Sequence, residues 1–462
     1  MGLPSPPVAD RPVVIVSNRG PLSFRREADG SLLGRRGAGG LVSGVAPLVA
    51  GTDTVWVAAA LSDADRDAAA SGAIEAEGLR VRLVAPDPDD LALAYDVVSN
   101  QTLWYVHHGL LDRYREPTFD AAWFEAWEAY RRVNAAFADA VAEIAPRGAA
   151  VLVQDYHLAL LAPALAAARP DVELVHFTHT PFAHPEELAV LPAEVRRALL
   201  AGLAAHRACG FHTERWAANA RACAAADGLE LTTFVAPLGP DPDDLARTAT
   251  SDPCVAAHAA IDEAVGDRRF VVRVDRVELS KNIVRGFLAY DHLLATRPEW
   301  RGRVTFGAYV YPSREGVPAY RRYRERIDEV VAAIDERWAT DGWSPIRYEP
   351  RDDYPRSIAA LRRADVVLVN PVRDGLNLVA KEAPLLNDRD AVLVLSPGAG
   401  AFDELAGPAV AIDPYDVVAG AAALERALAM EPAERGARAD ELRTLARRHS
   451  PATWLDAQLT AI

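Results

Sequence analysis

The chain has 462 residues, half of them apolar and a quarter charged, with a formal net charge of -15. That length and composition fit a globular protein of two or three domains. The acidic balance argues against nucleic acid or an anionic membrane as the main partner, while leaving room for a phosphorylated small molecule held by a local cluster of Arg and Lys.

Met1 to Pro12 is short and Pro-rich, so no signal peptide is expected, and no run is apolar enough for a bilayer span. Short β-branched runs then alternate with Ala-rich helical stretches. Strands are predicted at Val13–Ser17, Val55–Ala58, Arg80–Val84, Leu103–His107, Val151–Gln154, Leu174–Thr178 and Thr232–Ala236. A second set is predicted at Phe270–Val274, Val304–Tyr309, Val366–Val369, Val392–Leu395 and Val410–Ile412. Helices are predicted between them, as at Trp123–Ile144 and Tyr320–Trp338. Two sets of βαβ units predict two doubly wound α/β domains with mostly parallel sheets rather than one closed barrel. The crowding of Pro237, Pro240, Pro242 and Pro253 among acidic residues reads as a linker. Cys209, Cys223 and Cys254 form no C-x-x-C pair and read as reduced, which suits the cytoplasm.

Candidate site residues cluster where strands end. After the first strand comes Gly34-Arg35-Arg36-Gly37-Ala38-Gly39-Gly40-Leu41, which is either a backbone able to approach a phosphate or a flexible turn. Asp155 follows one strand and His179 the next, at the carboxyl edge where open α/β sheets bind ligands; a hydrogen-bonded core His is the competing reading. Arg273, Arg276 and Lys281 put cations at one strand end, suited to a diphosphate or simply to a solvated turn. Arg314 is a further phosphate candidate or a surface Arg. The stretch NPVRDGLNLVAKE, residues 370–382, joins a strand through a Gly turn to a helix start, whose first N–H groups make an anion site. In it Asp374 can accept from sugar hydroxyls and Glu382 can hold a ribose diol, so the segment suggests a nucleotide-sugar pocket. The Asp-x-Asp pairs at Asp87–Asp90 and Asp241–Asp244 read as turns and helix caps, and no metal site is expected.

In this order, VSNR (Val16 to Arg19), GAGGL (Gly37 to Leu41), Asp155-Tyr156-His157, His179-Thr180-Pro181-Phe182, Gly210-Phe211-His212-Thr213 and DGLNLVAKE resemble the trehalose-6-phosphate synthase family, glycosyltransferase family 20. The resemblance runs from about Val13 to Asp416. It implies a GT-B fold, two Rossmann-like domains facing across a cleft. Residues 1–240 are then expected to bind the acceptor, 241–445 the nucleotide-sugar donor, and 446–462 to pack back on the first domain as a helix.

By the same resemblance, Arg19 and Arg314 match residues gripping the acceptor phosphate, and Tyr95 and Trp104 an acceptor-site pair. Asp155 matches the residue orienting the acceptor, and His179 a donor-sugar contact. Gly39 and Gly40 match a loop near the donor diphosphate, and Arg276 and Lys281 the clamp on it. Asp374 and Gly375 match the donor-sugar turn, Leu376, Asn377 and Leu378 a diphosphate-facing backbone, and Glu382 a ribose ligand. The family clamp usually reads R-x-D-Y-x-K-G, whereas here it is RVELSKN, with Glu278, Leu279 and Asn282 replacing Asp, Tyr and Gly.

The activity implied is retaining, metal-independent transfer of glucose from UDP- or GDP-glucose to glucose 6-phosphate, with no cofactor and no macromolecular partner beyond a homo-oligomer. Its relatives that couple a nucleotide-linked cyclitol to an amino-cyclitol phosphate, as in validoxylamine A 7′-phosphate synthesis, share the pattern. A catalytically silent sugar-phosphate sensor is the third reading.

Overall fold

A computed structural model describes residues 11–27, 29–36 and 40–462. It divides into two compact units: one runs up to Leu238 and is completed by Pro451–Ile462, and the other is Gly239–Ser450.

The first unit holds β1 (Val13–Ser17), β2 (Leu22–Arg26), β3 (Leu32–Arg36), β4 (Val55–Ala59), β5 (Ala73–Ala76), β6 (Leu79–Val84), β7 (Ala150–Gln154), β8 (Glu173–Thr178), β9 (Ala208–Phe211) and β10 (Thr233–Val235). Eight of them form one sheet in the order β10-β9-β8-β7-β1-β4-β6-β5, parallel except for β5. β1, β4 and β7 are buried at every position, as strands covered on both faces must be. The chain builds outward from β1 through β4 to β6, then returns to β7 on the other side. β1 and β7 run in register, with Ser17 opposite Gln154, so the residues that follow them leave the sheet side by side. That reversal of strand order is where open α/β sheets bind ligands. The helix Pro451–Thr460 belongs to this unit; its Trp454 packs edge-on against Phe177 of β8 at 5.0 Å.

The second unit holds β11 (Arg269–Arg276), β12 (Val304–Tyr311), β13 (Ile346–Glu349), β14 (Val366–Val369), β15 (Val392–Leu395) and β16 (Val410–Ala411). They form a parallel sheet in the order β13-β12-β11-β14-β15-β16, reversing between β11 and β14. Its core joins Phe287 and Tyr290 of the helix Ile283–Thr296 to Phe306 of β12 through edge-on ring contacts of 5.3 Å.

Two expectations from sequence need correction. Leu103–His107 is not a strand. Leu93–Leu103 is a π-helix that continues as the α-helix Trp104–His108, stopped by Gly109 at φ 64°. The aromatic and β-branched composition looks like a strand, but Trp104 stacks on His108 one turn later at 4.0 Å, and tertiary packing outweighs intrinsic preference. The Pro-rich stretch read as a linker does begin at the boundary between the two units, after Leu238, but most of it is helical. Pro242 and Pro253 sit in the first turns of the helices Pro242–Ala249 and Asp252–Val265, where their missing N–H costs nothing. Asp241 caps the first of these and Asp87 caps Pro88–Ala92, so both Asp-x-Asp pairs serve as helix caps. Among the described residues no helix is long and apolar enough to cross a membrane.

Candidate active site

In the first unit, Trp56 Nε1 donates to Ser17 Oγ at 2.8 Å, and that hydroxyl donates to the Arg19 carbonyl at 2.6 Å. The turn after β1 is thereby fixed and Arg19 projects, exposed, with Nη2 donating to the Tyr95 hydroxyl at 3.4 Å. Tyr95 lies on the π-helix, a conformation that often marks a functional segment, and its ring stacks on His157 at 5.8 Å. Arg19 and Tyr95 therefore meet, while Trp104 points into the interior, 2% exposed.

Asp155 leaves β7 with φ 70°, a region that costs a non-glycine residue about 1–3 kcal/mol and collects at functional sites. Its Oδ1 accepts the His179 N–H at 3.2 Å, so the ends of β7 and β8 are tied together. The His179 ring lies between His212 Nε2 at 3.3 Å from its Nδ1 and Gln154 Oε1 at 3.1 Å from its Nε2. Burial pushes this imidazole down to about 4, which keeps it neutral at pH 7. Gly39 lies outside the described residues; Gly40 opens the helix Gly40–Val49.

In the second unit, the turn after β11 carries Lys281, whose Nζ contacts Asp374 Oδ2 at 2.6 Å. Asn377 Nδ2 donates to the same oxygen at 3.1 Å. Burial opposes the charge of Lys281, but Asp374, Asp275 and Glu278 outweigh it and hold the ammonium above the ordinary lysine range. Glu278 is 2% exposed; its Oε1 lies 3.2 Å from Arg276 Nη1 and 3.3 Å from Arg314 Nη1. One buried carboxylate thus sets the spacing of two guanidinium groups, and Arg314 also donates to the Tyr320 hydroxyl at 2.6 Å. Arg276, Lys281, Arg314 and Asp374 are brought into one charged cluster.

Arg273 is not part of that surface. It is 0% exposed, pairs with Asp275 Oδ2 at 2.8 Å and donates to the Lys281 carbonyl at 2.9 Å, bracing the turn from beneath. Asn282 stands where the family has Gly and adopts a left-handed backbone, φ 58°, which Asn tolerates better than most residues. Its side chain adds bonds to the carbonyls of Asn370 at 3.0 Å and Pro414 at 2.6 Å.

Gly375, Leu376, Asn377 and Leu378 lead into the helix Val379–Leu386, with Leu378 at its N-cap and Asn377 at φ 77°. The turn is backed by Gly400, where a Cβ would lie 2.0 Å from the Gly375 carbonyl oxygen. Glu382 is one turn on; burial, and next the charge of Asp244, raise its carboxyl to about 7. Among the described residues no group of three or more His, Cys, Asp or Glu is placed to hold a metal ion.

Sequence reasoning gave no role to Gln154, His212 or Glu278, and to Asn377 only a backbone one; the bond from its side chain to Asp374 was not foreseen. The signal for Glu278 was present, since it replaces one carboxylate by another inside the clamp. Gln154 and Gln458 meet across 304 positions, which no local pattern reveals.

Residues 11–462 match the family glycosyltransferase family 20. A bifunctional trehalose-6-phosphate synthase/phosphatase of Thermoproteus tenax is 33% identical across 96% of this chain, which spans only 62% of that protein. A trehalose-6-phosphate synthase of Mycobacterium sp. strain KMS is 32% identical across 98% of this chain and 95% of its own length. Among solved structures, trehalose-6-phosphate from E. coli bound with UDP-2-fluoro glucose superposes with TM-score 0.84 at 28% identity, covering 97% of this chain and 98% of that one. A UDP-forming α,α-trehalose-phosphate synthase of Burkholderia xenovorans, in complex with glucose-6-phosphate, gives TM-score 0.84 at 28% identity, covering 97% and 99%. The two doubly wound sheets are those of the GT-B fold, and the chain belongs to glycosyltransferase family 20.

Proposed function

We propose that the protein transfers glucose from UDP-glucose to glucose 6-phosphate with retention, releasing UDP and α,α-trehalose 6-phosphate. The observation that carries this reading is the cluster of Arg276, Lys281 and Arg314 around two carboxylates, beside a helix start, in a chain whose relatives are trehalose-6-phosphate synthases. The donor C1–O bond to the diphosphate breaks and a C1–O bond to the acceptor hydroxyl forms on the same face. The acceptor's proton passes to the departing diphosphate. Arg276 and Lys281 stabilise the charge that develops there, as positioned cations do. Asp374, held by the Asn377 side chain, faces the sugar, the backbone of Leu376 to Leu378 faces the diphosphate, and Glu382 holds the ribose. Arg19, Tyr95 and Arg314 hold the acceptor and its phosphate, with Asp155 orienting it and His179 contacting the donor sugar; Trp104, enclosed in the interior, is left out of that grip.

The altered clamp gives no support to a cyclitol donor. Asn282 takes a left-handed backbone that Gly also adopts freely, and Glu278 keeps a carboxylate between two arginines. The UDP-forming relatives favour uridine over guanosine. The buried free thiols of Cys209, Cys223 and Cys254 suit a reducing compartment, and we place the reaction in the cytoplasm.

Purified protein is to be given UDP-glucose or GDP-glucose, with and without glucose 6-phosphate, following nucleoside diphosphate release and the anomeric proton signals of the product. UDP release that depends on the acceptor, with an α,α-linked phosphodisaccharide, is expected. No acceptor-dependent release from either donor would sink the reading.

Glu382 adds a pH dependence. A carboxyl titrating near 7 is mostly protonated at pH 6, and only the ionised form offers both oxygens to a diol. The KM for UDP-glucose is therefore expected to fall, by about tenfold at most, between pH 6 and 8. In Glu382→Gln the profile should flatten across that window; an unchanged slope would remove Glu382 from the ribose site.

A further inference from the structure

We propose that Gln458, on the C-terminal helix Pro451–Thr460, is a positioning residue that fixes His179 as its Nε2-protonated tautomer through Gln154. The proposal rests on the reading of His179 as a donor-sugar contact.

The polarity of the chain of hydrogen bonds follows from one group that cannot change its role. The backbone N–H of Leu238 faces His212 Nδ1 at 3.3 Å, so that nitrogen accepts and the proton of neutral His212 sits on Nε2. His212 Nε2 lies 3.3 Å from His179 Nδ1, so it donates and Nδ1 accepts. The neutral His179 ring then carries its proton on Nε2, directed at Gln154 Oε1 at 3.1 Å. Gln154 turns its amide nitrogen outward and donates to Gln458 Oε1 at 3.0 Å.

Side-chain amides and imidazoles can each be reversed, but only together. Reversing Gln458 alone sets its NH2 against the NH2 of Gln154. Reversing both, and His179 with them, sets a proton of His212 against the Leu238 N–H. The direction is therefore set at the Leu238 end and held at the Gln458 end.

The far end is built to stay in place. Gln458 is 0% exposed, and Trp454, one turn earlier, packs on the His179 ring at 5.6 Å and on Phe177 at 5.0 Å. Among the described residues Gln458 Nε2 has no partner, so one buried donor is left unsatisfied while Oε1 is kept for Gln154. Nδ1 of His179 is then an acceptor held by the longer of its two contacts, and a sugar hydroxyl taking the place of His212 there must donate.

The test uses full-length protein labelled with 15N at the imidazole nitrogens, the His179 signals being assigned by their loss in His179→Asn. Wild-type protein is expected to show a protonated Nε2 and a bare Nδ1. Gln458→Leu removes the acceptor at similar volume; it should mix the tautomers and raise the KM for UDP-glucose about three- to tenfold with kcat within about twofold. Gln458→Glu keeps an acceptor at the same reach, ionised or not, and should restore both. A wild-type ring protonated on Nδ1 overturns the proposal, as does a Gln458→Leu variant with unchanged signals and KM. If the leucine variant does not fold, the wild-type signals decide. Should the tautomer behave as expected while no nucleotide sugar is turned over, it is the functional reading that fails and the relay that stands.

Discussion

Lys281→Ala is expected to lower kcat by about 10²- to 10³-fold, the usual cost of removing one preorganised group from a site of developing negative charge. The Lys281 side chain is only 12% exposed, so water cannot replace it cheaply. Lys281→Arg should rescue poorly, because a planar guanidinium cannot occupy the position of a compact ammonium 2.6 Å from Asp374. The same substitution takes the lysine partner from Asp374 and leaves its charge, on a side chain 16% exposed, to the Asn377 amide and its other neighbours, so a modest loss of thermal stability is expected alongside. Adding Asp374→Asn removes that under-compensated charge. The double variant should regain stability without regaining turnover, and the coupling between the two sites reports the pair directly. Single-variant activity within tenfold of wild type would take Lys281 out of the diphosphate clamp.

The two sheets were legible because buried parallel strands need continuous apolar runs. Val13–Ser17, Val366–Val369 and Val392–Leu395 end where their sequences suggest. The short edge strands β10 and β16 were legible too, but not β5, which is half exposed, nor β9, which reads ACGF. The π-helix was invisible because LAYDVVSNQTL mixes apolar and polar residues without a local period, and it packs against the distant helix Ala121–Ile144. In the candidate site, cations and carboxylates at strand ends could be found by position, but not their pairing. Arg273 and Arg276 lie three residues apart on one strand and look alike in sequence. One is fully enclosed and the other about half exposed, and only packing tells them apart.

That difference gives the largest expected effect on stability. Arg273 and Asp275 form a buried ion pair, with side-chain exposures of 0% and 6%. Burial, opposed most strongly by Arg273, leaves the Asp275 carboxyl above its ordinary value. Space for the guanidinium comes from Gly286, the fourth residue of the helix Ile283–Thr296, where a Cβ would lie 2.6 Å from Arg273 Nη1. A glycine there costs the helix about 1 kcal/mol relative to alanine, a sacrifice that makes sense only if the arginine matters. Asp275→Ala leaves a buried guanidinium with carbonyl partners alone, and is expected to cost about 3–5 kcal/mol of stability in denaturant titration. Replacing both partners, Arg273→Met with Asp275→Leu, should recover most of that loss, because apolar groups of similar volume often substitute for a buried pair. It should not recover turnover. The Lys281 carbonyl loses the donor that braces it at 2.9 Å, and the ammonium at the end of that turn loses its register with the departing diphosphate. A stable double variant with wild-type kcat would show that the buried pair serves the fold alone, whereas a stable and slow one assigns it to holding the clamp.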